Sequence, residues 1–223
     1  SGKLLREVWT GIAGNDVVNL TGNAAYPNNP TSTSEVTSFE TPTNDGDNYG
    51  QRLRGWLHPQ VTGQYRFWIA GDDECQLFLS SDATSANRTR IARVPAGGWS
   101  DPRQWTKFPE QTSALITLTA GQRYYIEALH KEGAGGDNLA VAWQVPGGTG
   151  QTVIPGQFLS PWTPNSVPTL ANPGARTGIV GNAASLQLAG ADPDNQPLTY
   201  GATGLPTGLS VGTATGLISG TPT

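Results

Sequence analysis

Apolar and polar residues alternate one by one through much of the chain up to about residue 160. In GQYRFWIA, Tyr65, Phe67 and Ile69 share one face of an extended segment, with Arg66 and Trp68 on the other. RYYIEALH sets Tyr124, Ile126 and Ala128 against Arg123, Tyr125 and Glu127. NLAVAWQV sets Leu139, Val141, Trp143 and Val145 against Ala140 and Gln144. CQLFLS sets Cys75, Leu77 and Leu79 against Gln76, Phe78 and Ser80. A period of two is the signature of a strand with one face in a core, and no stretch shows a helical repeat of comparable length. Gly and Asn clusters such as TNDGDNYG and EGAGGDN separate the runs as turns do. The pattern predicts an all-β antiparallel sandwich or barrel.

The pattern changes where Pro155, Pro161, Pro164, Pro168 and Pro173 crowd together, because proline cannot continue a ladder and stiffens the chain. A domain boundary is expected near Trp162, giving domains at 1–162 and 163–223. Beyond it Tyr200 is the one aromatic residue, and small residues dominate.

Composition narrows the classes. The chain has 223 residues, 36% hydrophobic and only 13% charged, with 29 Gly and 17 Pro, which suits short strands and tight turns. A net charge of −4 lacks the basic footprint that nucleic acid requires. No apolar run is long enough to span a membrane as a helix, so no membrane insertion is expected. The absence of Met, even at position 1, suggests a processed fragment. Cys75 stands alone, so no internal disulfide can form, and its place on an apolar face suits a small hydrophobe better than a reactive thiol. The Thr, Ser and Asn richness and scarcity of Lys suggest an extracellular bacterial protein.

One short stretch raises a chemical question. AGDDECQLFLSS places Asp72 and Asp73 side by side at the mouth of a strand. Neighbouring side chains of a trans strand point to opposite faces, so such a pair cannot grip one ion. A cis peptide turns both carboxylates toward one point, and a divalent cation offsets their repulsion. Calcium suits best, as a hard cation that gathers six to eight oxygens. Further oxygens are offered by Asp137 and Asn138 on GAGGDN, where Gly133, Gly135 and Gly136 let backbone carbonyls turn inward. Asp, Asn and Gly also build ordinary polar turns, so spacing alone leaves both readings open.

LREVWTGI, GDNYGQRLRGWLHPQVTGQYRFWIAGDDECQLFLS, GQRYYIEALHKEGAGGDNLAVAWQ and VIPGQFLSP resemble the protective-antigen-type (PA-14) domain over residues 3–161. Lectin members of that family, including yeast flocculins and adhesins and bacterial surface lectins, hold calcium with a cis-linked Asp pair, and sugar hydroxyls complete its shell. The resemblance implies that Asp72 and Asp73 are that pair and that Asn138 lies on the loop completing the site, with Asp137 beside it. The expected metal ligands are thus Asp72, Asp73, Asp137 and Asn138, and the expected ligand-binding residues Asp72, Asp73, Gly136 and Asn138. The implied function is calcium-dependent binding of glycans by a secreted or cell-surface protein, weak per site and strengthened by multivalent display. Alternatives are a structural or protein-binding adhesin module stiffened by calcium, and a targeting module of a secreted glycan hydrolase.

Other signals compete less well. Asp45 and Asp47 in NDGDN offer a second ion site, though a hairpin cap suits them better. Trp99 and Trp105 are candidates for stacking on sugar, but indoles more often pin loops or fill cores. His58 and His130 read as structural. GLSVG fits the nucleophile-elbow pattern at Ser210, without the helix or the histidine such a site needs; no enzyme is expected. ADPDNQPLTYGATGLPTGLSVGTATGLISGTPT resembles the dystroglycan-type cadherin-like repeat, a small immunoglobulin-like sandwich. A further strand pair normally follows in that family, so this repeat is expected to be truncated. Its Asp192 and Asp194 fit either a calcium site or a plain turn.

Overall fold

The alternating runs become strands, and their apolar faces meet between two sheets. The computed structural model describes residues 2–164, 166–193 and 197–223. It divides into two units, Ser1–Thr163 and Pro164–Thr223.

In the first unit, the strands are β1 (Leu4–Thr10), β2 (Ser32–Val36), β3 (Tyr49–Leu57), β4 (Gly63–Asp72), β5 (Cys75–Ser80) and β6 (Arg88–Val94). They continue with β7 (Ile116–Leu118), β8 (Tyr124–Glu132), β9 (Asn138–Gln144), β10 (Thr152–Val153) and β11 (Leu159–Pro161). One sheet runs β2-β1-β3-β8-β5-β6, with β11 pairing β3 beyond the end of β1. The other runs β10-β9-β4-β7, and the pairings are antiparallel. Leu53, Phe67, Ile69, Cys75, Leu77, Ile126, Leu139 and Val141 fill the space between the sheets. The alternation assigns each of these to an inward face except Leu53, whose strand GQRLRGWL is interrupted by arginines.

Three expectations need correction. Trp68 should face outward but is 5% exposed, because the segment after residue 99 crosses it. Thr112 forms a bridge with Trp68, Phe67 N donates to Ser113 Oγ (2.9 Å), and Gln111 Nε2 donates to Ile69 O (2.9 Å). Along β8 every residue is buried, Tyr125 and Glu127 included. Its polar face lies under a charged layer: Glu7 accepts paired hydrogen bonds from both Arg52 and Arg54, and Arg52 lies over the rings of Trp9 and Tyr26. The short helix α1 (Val17–Thr21) packs on the same strand. The third is Val145, which lies past the end of β9 and is 36% exposed.

The second unit holds β12 (Thr169–Leu170) paired with β14 (Gly190–Ala191), and a sheet of β13 (Ala184–Gln187), β16 (Leu217–Gly220) and β15 (Leu209–Val211). Ser210 sits within β15 opposite Ser219, in a strand pair with no helix after it among the described residues. Asp194 lies outside the described residues.

Candidate functional site

The chain crosses from one sheet to the other at residues 72–75, where β4 ends and β5 begins. The Asp72–Asp73 peptide bond at this crossing is cis. Asp72 pairs across the sheet with Asn138, the first residue of β9, and Cys75 pairs with His130 of β8. The ends of β4, β8 and β9 therefore converge, and β8 contributes a residue that the sequence did not single out. Glu132, its last residue, offers a carboxylate oxygen in a group with Asp72 and Asp73, all ligand atoms lying within 4.8 Å of one another.

Three acids so close cannot all ionise freely. Burial, then the charges of Asp73 and Asp72, push the Glu132 carboxyl up to about 8. Burial and Asp73 raise Asp72 to about 6, while Lys107 pulls it down. Lys131 brings a buried ammonium beside them, but its Nζ donates to the Glu132 carbonyl, and it forms no ion pair among the described residues.

Several buried oxygens here have no hydrogen-bond partner: both carboxylate oxygens of Glu132, Oδ1 of Asp137 and Oδ1 of Asn138. Buried polar atoms without a partner are rare and costly. Hard oxygens from carboxylates and amide carbonyls are the donors that calcium takes, so these residues fit such an ion.

The expected residues divide by their hydrogen bonds. Asp73 Oδ2 accepts from Gly133 N (3.0 Å), which fixes that carboxylate against the glycine loop. Asn138 Nδ2 donates to Ser100 O (2.9 Å), turning its Oδ1 away. Asp137 Oδ2 is a loop clamp, accepting from Asp45 N (2.6 Å) and Gly46 N (3.0 Å), and only its Oδ1 is unpaired. Gly136 is exposed; a Cβ there would lie 3.4 Å from Asn44 Oδ1 and 3.9 Å from Asp72 Oδ2. The glycine thus leaves space beside the Asp72 carboxylate.

Asp45 and Asp47 are not brought together as a second ion site: Asp45 pairs with Arg6 (2.5 Å), and Asp47 accepts from Gly135 N (3.1 Å). Trp99 is 46% exposed beside Ser100, with Lys107 Nζ 3.0 Å from its ring centroid. Trp105 lines a shallow pocket with Arg103 and Gln151. His58 contacts Ser160 Oγ (2.7 Å). Cys75 is fully buried, and burial pushes its thiol up.

His130 is structural, as expected, but it serves this site. Its Nε2 lies 2.6 Å from Asp72 O, and its Nδ1 2.8 Å from Gln51 Nε2. The amide must donate, so Nδ1 accepts and Nε2–H holds the Asp72 carbonyl. Burial lowers its pKa to about 4, which keeps the ring neutral at ordinary pH. Glu132 and His130 carried one legible signal, the alternation that places them on the same face of β8. Nothing in the sequence brought that strand to Asp72.

A family model for the PA14 domain matches residues 16–157. This chain belongs to the PA14 family. A model for a putative Ig domain matches residues 167–223, so an immunoglobulin-like unit follows the PA14 domain. The PA14 region is 36% identical over 141 residues to mouse N-acetyl-beta-glucosaminyl-glycoprotein 4-beta-N-acetylgalactosaminyltransferase 1, covering 62% of this chain and 13% of that protein. Dog fibrocystin is 27% identical over 133 residues, covering 57% of this chain and 3% of that protein. The chain spans only a small part of these curated relatives. Among solved structures, the PA14 sugar-binding domain of an RTX adhesin superposes with a TM-score of 0.55 at 16% identity, covering 72% of this chain and 99% of that one. The Candida glabrata epithelial adhesin 9 A domain, in complex with Galb1-3GlcNAc, gives 0.52 at 13% identity, covering 71% and 88%. These two share the fold of the PA14 domain.

Proposed function

We propose that the PA14 domain binds carbohydrate through calcium held by Asp72, Asp73 and Glu132, with Asn138 Oδ1 and Asp137 Oδ1 beside them. The observation that carries this reading is the buried, unpartnered carboxylate of Glu132 gathered with the two carboxylates of the cis-linked pair. Calcium would supply a centre of positive charge with coordination positions left for two neighbouring hydroxyls of a sugar. The chain's own residues do the rest. Gly133 N orients Asp73, Ser100 O orients Asn138, and His130 anchors the main chain of Asp72. The missing side chain of Gly136 keeps the approach open.

The solved neighbours include a sugar-binding domain and an adhesin in complex with a disaccharide, which supports glycans as the partners. We read the protein as a binding module that acts outside the cell or on its surface, and not as an enzyme. No helix of the described residues is long and apolar enough to cross a membrane. The mouse relative named as a transferase matches this chain over 13% of its length.

The test is a glycan array in millimolar calcium, repeated with chelator and with Asp73→Asn. Binding to a small set of related sugars, lost under both treatments in a protein that stays folded, is the expected result. Retention of binding without calcium would overturn it. Calcium binding with no sugar bound would leave the module a calcium-stiffened scaffold.

A further inference from the structure

The opening beside Asp72 has a second wall. Asn44 belongs to the loop before β3, far in sequence from both aspartates, yet its Oδ1 lies 3.4 Å from the point where a Gly136 Cβ would stand. Asp72 Oδ2 lies 3.9 Å from that same point. A ligand entering over Gly136 therefore passes between the Asp72 carboxylate and the Asn44 carboxamide.

Asn44 is held where it is by its main chain. Its backbone is left-handed, φ 54°, a conformation asparagine tolerates better than most residues. Asn44 N donates to Asp137 O (3.0 Å), and the next two amides donate to Asp137 Oδ2. Asn48 N donates to Gly133 O (2.6 Å), and Gly135 N donates back to Asp47 Oδ1 (3.1 Å). The loop of residues 44–48 is thus fastened along the glycine loop at both ends. The Asn44 side chain is exposed and makes no hydrogen bond among the described residues. An amide with both donor and acceptor free, on a backbone this constrained, loses little freedom when it binds a hydroxyl.

The geometry points to Asn44 as the residue that selects the sugar. This rests on the reading that a vicinal diol binds at the cation. The hydroxyl next to that diol on the ring then comes to the Asn44 side of the opening, where the carboxamide can donate to it and accept from it. Epimers at that carbon present their hydroxyl elsewhere and lose the contact. The ligand class is a pyranoside with two vicinal hydroxyls at the ion and a third, of defined configuration, beside them.

Titration calorimetry in millimolar calcium tests this with the methyl glycosides of glucose, galactose, mannose and fucose. Wild type and Asn44→Gly are compared, since glycine accepts the left-handed backbone without strain. Calcium affinity and melting temperature are measured on both proteins. The expected result is a loss of about three- to tenfold for the best sugar, the range of one hydrogen bond. The other sugars should change little, so that the four affinities draw together, with calcium affinity unchanged. An unchanged order and spread of affinities would overturn the assignment. So would an equal loss for all four with weakened calcium binding, which would make Asn44 part of the ion site. Wild-type protein that binds calcium but none of the glycosides would overturn the proposed function and this inference together.

Discussion

Glu132 shows how much one residue's surroundings decide. On an isolated strand its carboxylate would be an ordinary surface acid; at the end of β8 it is fully buried beside Asp72 and Asp73, with both oxygens unpartnered. Replacing it by glutamine removes a charge from the donor set and should weaken calcium binding by at least about tenfold. Calorimetry checks this, and an unchanged affinity would remove Glu132 from the site. The same carboxyls set a pH dependence. Without metal, Asp72 and Glu132 stand raised to about 6 and about 8, above their ordinary values of 3.8 and 4.5. The folded protein then binds protons more tightly than the unfolded chain. Their contribution to stability is complete below the ordinary values and is lost as pH rises through about 6 and then about 8. Calcium competes with those protons. The gap in melting temperature between calcium and chelator should therefore widen from about pH 5 to about pH 8, and a flat gap would contradict the assigned ligands.

At the scale of elements, β3 packs tightly against its neighbours. A Cβ at Gly55 would lie 2.1 Å from Ser160 O on β11 and 2.6 Å from Leu4 Cδ2. The backbone contact cannot yield as a side chain would. Gly55→Ala should cost about 3 kcal/mol or separate β11 from β3, seen in urea unfolding and in faster amide exchange at Leu159 and Pro161's neighbours. On the outer face of the same strand, Arg52 and Arg54 both fork onto Glu7, whose side chain is 6% exposed. Glu7→Gln leaves two guanidiniums nearly buried without their counter-charge and should destabilise by about 3 kcal/mol. Replacing all three residues by apolar ones of similar size would cost less, because the desolvation of the charges is then removed as well.

For the whole molecule, the two units differ in how much core they own. The first places its buried aromatics and aliphatics between two sheets, whereas Leu188 is the one buried hydrophobic residue among the described residues of the second. The candidate site draws on residues 44, 72, 73, 132, 137 and 138, all within Ser1–Thr163. A protein ending at Thr163 should therefore keep wild-type calcium affinity, within about twofold, and melt within a few degrees of the longer chain. Loss of calcium binding on that deletion would show that the second unit takes part in the site.

The sequence by itself determined the strand content and the inward faces, since a period of two survives any arrangement of strands that buries one side. It also made Asp72 and Asp73 neighbours, because adjacency in the chain is preserved in every fold. Only the tertiary structure decided which strand ends meet at that pair. Glu132, His130 and Asn44 are remote from it in sequence, and β8 arrives there through its pairing with β5. Burial of both faces of β4 and β8 was likewise a tertiary decision: the covering groups, Thr112 and Ser113 on one side and an arginine layer on the other, come from distant segments. Local pattern records what each strand can bury; the long-range pairings fix which oxygens are left facing one another without partners.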